Sequence, residues 1–160
     1  MANTLKLAAG GVSTWTAMGF TASDFNSLAN GSFVLASTAI DNSANFDLFA
    51  EASFIATMGG TTTSGAYVAL WGVPLNRDGS TYGDSIGNGT TLPSGNYLLA
   101  TCGVKVGVTS GQTIVGIFQP FAMPTRRSFK FGFSQHTGVA FNATASFTAE
   151  FQTTNLNLNG

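Results

Sequence analysis

A Ser/His/Asp or Cys/His site in this chain would have to run through His136, its only imidazole, because such nucleophiles need an adjacent base. His136 sits in SQHTG, between a strand-like segment and a glycine turn, where a hairpin loop places a polar residue. Zinc needs three or four His or Cys ligands, or closely spaced carboxylates. His136 and Cys102 are the only two soft ligands, which excludes such a centre. Asp78 and Asp84 bracket Gly79, Ser80 and Thr81 like part of a calcium loop, yet the further acidic ligands of that loop are missing and a solvated turn is expected. Two of the seven acidic residues could meet in space as a glycosidase pair, but no cleft-forming motif supports one. No glycine-rich loop opens a helix, as phosphate cradles require. A protein without catalytic residues, metal or cofactor is expected.

The stretch from Ala66 to Asp84, AYVALWGVPLNRDGSTYGD, would organise the surface around it. Its first half alternates as a strand, with Tyr67, Ala69 and Trp71 on one face and Val68 and Leu70 on the other. Pro74 ends the ladder, and Asn76, Arg77, Asp78 and Gly79 supply the residues of a tight turn. An aromatic strand joined to a polar loop suits a surface that meets a partner.

The 160 residues make one domain with enough length for a core, with residues 1–14 as an N-terminal arm or first strand. Only 8% of residues are charged, against about 25% in an ordinary soluble domain. Fourteen Phe and a net charge of −1 argue against disorder, which goes with few apolar residues and high charge. With six Lys and Arg in total, and only Arg126, Arg127 and Lys130 near one another, nucleic acid is not an expected partner. No apolar run approaches the roughly 20 residues that span a bilayer, so no membrane is expected either. The opening MANTLKLAAGGVSTW does not read as a secretory signal. Synthesis and retention inside a cell, or release on lysis, is the expectation. Cys102 has no intramolecular partner and is expected to act as a small hydrophobe. The Asn-X-Ser/Thr matches at Asn30, Asn88 and Asn142 are expected to be loop residues.

Hydrophobic alternation and Gly or Asn punctuation predict strands at Thr4 to Leu7, Ser32 to Ile40, Phe46 to Thr57, Ala66 to Leu75, Tyr97 to Val108, Thr113 to Gln119, Ser128 to Ser134 and Thr144 to Leu156. A helical turn is predicted over Ser23 to Ala29, with Ser23 as N-cap and Gly31 as stop, and with Trp15, Phe20 and Phe25 plugging one end of the core. Two strands are plainly two-faced: Phe129, Phe131 and Phe133 oppose Lys130 and Gly132, and Phe147, Ala149 and Phe151 oppose Ser146, Thr148, Glu150 and Gln152. Eight strands with one buried face each make an all-β antiparallel sandwich of jelly-roll type. The longest loop, Asn76 to Asn96, holds five Gly and one Pro, and a loop of that length is usually functional or docked.

A charge-poor coat of Thr, Asn, Ser and Gly is weakly protected against association. Interfaces deplete charge and enrich aromatics and Met. Trp71, Tyr82, Asp78, Phe118, Pro120, Phe121 and Met123 are therefore the candidate interface residues, with burial in the core as the competing reading for Trp71 and Phe118.

Four segments, ASDFNSLANGS, AIDNSANFD, VPLNRDGSTYGD and HTGVAFNATASF, resemble a group of small virion-associated proteins of tailed bacteriophages. The resemblance spans roughly Ser13 to Leu156, is closest in DGSTYGD, and rests on turn residues between strands. It implies a structural role on the virion, of the capsid decoration or cement kind. The implied partners are the major capsid protein and further copies of the chain, as a trimer, in a particle made in the bacterial cytoplasm. The group has no catalytic residues to transfer. Two alternatives stand beside it: a tail or neck component, and a carbohydrate-binding or adhesin module in which Trp71 and Tyr82 stack on a glycan.

Overall fold

The computed structural model describes residues 4–9, 14–43, 46–77, 80–83, 86–124 and 128–159. Among them are nine strands: β1 (Thr4–Ala9), β2 (Thr16–Ala17), β3 (Phe33–Asp41), β4 (Phe49–Thr57), β5 (Tyr67–Pro74), β6 (Leu98–Gly103), β7 (Thr113–Ala122), β8 (Ser128–His136) and β9 (Thr148–Asn159). All pairings are antiparallel. One sheet runs β1-β9-β4-β7, with the two-residue β2 continuing the β1 edge along β9, and the other runs β3-β8-β5-β6. Seven of the eight expected strands shift only at their ends. The segment expected to run to Val108 stops at Gly103, since residues 106–107 and 110–111 form turns. If β1 and β2 count as one interrupted strand, eight strands pass between the two sheets in the order of a jelly roll.

The core between the sheets is large set against small. Phe129, Phe131 and Phe133 of β8 face inward, while β4 offers Ala50, Ala52 and Ala56 around a single Phe54. Such alternation lets facing layers interdigitate at crystal-like density. Phe133 touches Phe20, Phe25, Phe54, Phe118, Phe141 and Phe147, mostly edge to face. On β7, Gly116 is dictated by this packing, because a Cβ there would overlap the Phe54 ring.

The helical turn is shorter than expected. A single 3-10 turn covers Ala22–Phe25, capped by Thr21 without a side-chain bond, so Ser23 lies inside it. It cannot continue because Ser27 takes a positive φ. Asn26 Oδ1 accepts the Ala145 N–H instead, which pins the chain sideways. Phe20 and Phe25 do plug this end of the core against Phe147, whereas Trp15 stays on the surface.

One feature of the four-stranded sheet departs from the expectation of one buried face per strand. Residues 68–73 of β5 are all buried. Val68 and Leu70 face the main core, and Ala69, Trp71 and Val73 form a second cluster with Phe33, Leu35, Tyr82, Ile86 and Tyr97 on the opposite face. The cover comes from the long connection between β5 and β6, whose described residues, 75–77, 80–83 and 86–97, fold back as a flap.

Candidate functional site

The flap is fastened at both sides. Near its start, the Gly83 N–H donates to the Pro74 carbonyl at 2.9 Å, and the Asn76 amide bonds to Thr81 Oγ1 and the Gly83 carbonyl. At the free edge of β3, Gly89 exchanges both backbone bonds with Phe33, and Asn88 Oδ1 accepts the Leu35 N–H at 2.8 Å. Covering an edge strand in this way hides polar groups that would otherwise pair with another chain. Asn30 and Asn142 likewise accept backbone N–H groups through their side chains, so each Asn of the three sequence matches locks a loop.

Beneath the flap the strand registers place the side chains in rows across the sheet. Tyr67 lies beside His136 and Gly103; the next row is Thr101, Ala69 and Ser134; the next is Leu98, Trp71 and Gly132. The middle row is made of small residues between two rows that carry rings. A trench is the necessary result, and the flap stops short of filling it. It has a volume of about 390 Å³ and is lined by Tyr67, Ala69, Trp71, Leu92, Leu98, Thr101 and His136.

A polar chain stiffens the trench. The Trp71 indole N–H donates to Ser134 Oγ at 3.0 Å, and that oxygen lies 3.2 Å from His136 Nε2. Since indole only donates, Ser134 accepts from it, and the second contact of that hydroxyl is with Nε2, as donor or acceptor according to the imidazole tautomer. Burial lowers the pKa of His136 below the usual value of 6.5, which favours the neutral ring. The imidazole stacks on Tyr67 with ring centres 4.5 Å apart. His136 was expected in a hairpin loop; it is the last residue of β8, paired with Tyr67. The Ser134 and His136 pair lacks the openness of a nucleophile and base, because Ser134 is 0% exposed. Among the described residues no three His, Cys, Asp or Glu side chains come close enough to share a metal ion.

The five-stranded sheet offers a different surface. On its outer face Val115 is 69% exposed, Ile117 60% and Ile55 40%, with Ile55 directly opposite Val115 and Ser53 opposite Ile117. No residue of β7 is charged. The strand is interrupted at Gln119 and Pro120, where a register shift against β4 turns Phe121 back into the core. The pattern TIVGIFQ alternates, and its outward positions, Val115 and Ile117, are apolar as well, which period alone does not mark as an exposed stripe.

The candidate interface residues scatter. Phe118 is fully buried, and Phe121 and Met123 nearly so, all three inside the main core; their side chains are closed to a partner in the folded chain. Phe118 follows the inward phase of β7, and the bulge moves that phase on by one residue so that Phe121 and Met123 also point inward. Trp71, at 6% exposure, belongs to the second cluster under the flap. Tyr82 is half-buried in the same cluster, with Lys130 Nζ 5.0 Å from its ring centre. Pro120 is exposed. Asp78, like Asp84, Arg126 and Arg127, lies outside the described residues. Cys102 is half-buried against the main core, where burial raises its thiol pKa. None of these reads as a cluster: the structure draws together Trp71 and Tyr82, and separates them from Pro120.

Compared with family models, curated proteins and solved structures, the chain finds no match.

Proposed function

We propose that the chain is a structural subunit of a virion, of the capsid decoration or cement type, that associates with copies of itself and with major capsid subunits on the outside of a bacteriophage head. The observation that carries the assembly role is the uncharged apolar stripe of Ile55, Val115 and Ile117 on a domain with only 8% charged residues. Three neighbouring branched side chains so open to water are in keeping with the centre of a contact. The placement on a phage head draws on the loop resemblance, chiefly DGSTYGD. Association of many copies, each through contacts of modest strength, stabilises a shell by mass action.

The glycan alternative loses its platform. Trp71 is under the flap, and one neighbour of the Tyr82 ring is the Lys130 ammonium, so the two rings do not form a flat open surface.

The test replaces Val115 and Ile117 by Lys and measures sedimentation alone and with purified heads. Side chains so exposed should change folding stability by no more than about 1 kcal/mol each. Placed inside a contact, they should weaken association by at least about 2 kcal/mol, or roughly 30-fold. A monomeric wild-type protein that does not co-sediment with heads would refute the proposal. Tens of copies or fewer per particle would move it to the neck or tail.

A further inference from the structure

Away from the apolar stripe, the trench on the opposite sheet has the build of a binding site, and its chemistry can be read from its walls. It exists because Ala69 is flanked, two residues away on each side of the same strand face, by Tyr67 and Trp71. Same-face neighbours on a strand stand about 6.6 Å apart. The space above Ala69 is thus one large side chain wide, with an aromatic wall on either side. At about 390 Å³ it falls within the range of small-ligand sites, roughly 300–1,000 Å³.

The lining is selective in two ways. Among the described residues no lining side chain carries a formal charge when His136 is neutral, so an ionised group would lose hydration without gaining a partner there. The polar groups are few: the hydroxyls of Tyr67 and Thr101 and the imidazole of His136. With Nε2 engaged by Ser134, Nδ1 of His136 makes no hydrogen bond to a described residue. A ligand that completes the site brings a flat apolar body and one hydroxyl, which can donate or accept.

We infer that the trench over Ala69 binds an uncharged single aromatic ring bearing a hydroxyl, that is, a phenol, between Tyr67 and Trp71, with its oxygen at one of the polar groups of the lining, Thr101 on the β6 side or His136 on the β8 side. A pyranose fits less well, because its ring of hydroxyls would meet Leu92, Leu98 and Ala69, which offer no partners. The phenol can be a free small molecule or a tyrosine side chain of a neighbouring protein, which present the same group. Binding of the phenol stands independently of the virion proposal; only the comparison that separates its two sources rests on that reading.

The probe is 4-methylphenol, titrated into the full chain while the indole N–H resonances of Trp71 and Trp15 are followed. Trp15 lies on the surface outside the trench and serves as the internal control. Saturable shifts of the Trp71 signal with a dissociation constant of about 1 mM are expected for so small a ligand. Toluene, without the oxygen, should bind several-fold more weakly, and methyl glucoside should leave the signal unmoved. Ala69→Leu should abolish the shifts by filling the slot. Should that variant not fold, Leu92→Lys places a charge on the exposed flap and should weaken binding at least tenfold. No shift of Trp71 at tens of millimolar ligand, equal shifts in both variants, or tighter binding of the glucoside would overturn the inference. Comparing the co-sedimentation of Ala69→Leu with heads then separates the sources. Loss of particle binding identifies a neighbour's tyrosine, and its retention identifies a free phenol.

Discussion

Replacing Trp71 by Ala should loosen the flap first and the domain second. Trp71 is 6% exposed, stands edge-on to Phe33 with ring centres 6.4 Å apart, and forms a cluster with Tyr82, Ile86 and Tyr97 from the flap. Truncating a buried aromatic costs about 3–5 kcal/mol. The lower end applies, because the trench beside Trp71 gives the flap room to settle into the gap. Ser134 loses a donor but keeps its contact with His136, so the hydrogen bond is a minor share, about 1 kcal/mol. Against a total stability of about 5–15 kcal/mol, a loss near 3 leaves the protein folded. Urea unfolding at constant m reads the total. Amide exchange reads the order: the Gly89 and Leu35 N–H groups, which bond to Phe33 and Asn88 across the flap hem, should lose more protection than those pairing β4 with β9. Trp71→Phe keeps most of the packing and should cost about 1–2 kcal/mol. A cost under about 1 kcal/mol for Trp71→Ala, or a Phe variant as damaged as the Ala variant, would refute the reasoning that packing under the flap dominates.

Other substitutions test the remaining packing and the titration. Gly116→Ala should cost about 1–3 kcal/mol in urea unfolding, because its methyl group meets the Phe54 ring inside the core. Gly132→Ala, whose Cβ would stand 2.5 Å from the Phe33 ring, should be comparably damaging, whereas Gly95→Ala, with open space around it, should change little. His136 binds its proton less readily folded than unfolded, so the neutral ring contributes stability above about pH 6.5, and that contribution falls away as the pH drops through its lower folded pKa. As the chain's only histidine, it can be isolated: His136→Gln should flatten the fall in stability just below pH 6.5, and an unchanged profile would contradict the assignment.

Local pattern was enough for the elements, because alternation in β4, β7, β8 and β9 records which face meets the core. Phe129, Phe131 and Phe133 were readable as inward from their spacing alone, and so was the opposition of Val68 and Leu70 to Tyr67, Ala69 and Trp71. Composition likewise pointed to a domain whose outside is polar but barely charged. What a single strand cannot encode is whether its outer face is left open. Tyr67 and Trp71 are equivalent by period, yet Trp71 is covered except where it borders the trench and Tyr67 is open, since the flap crosses one row and misses the next. Composition does not carry phase: Phe118 is inward by the alternation of β7, and the bulge at Gln119 and Pro120 brings Phe121 and Met123 inward as well. The trench and the apolar stripe both arise from rows that run across strands distant in sequence. Sequence determined the strands and their inward faces, since those follow from neighbours one or two residues away. Tertiary structure decided which outward faces are covered, since that depends on contacts between segments that only the folded sandwich brings side by side.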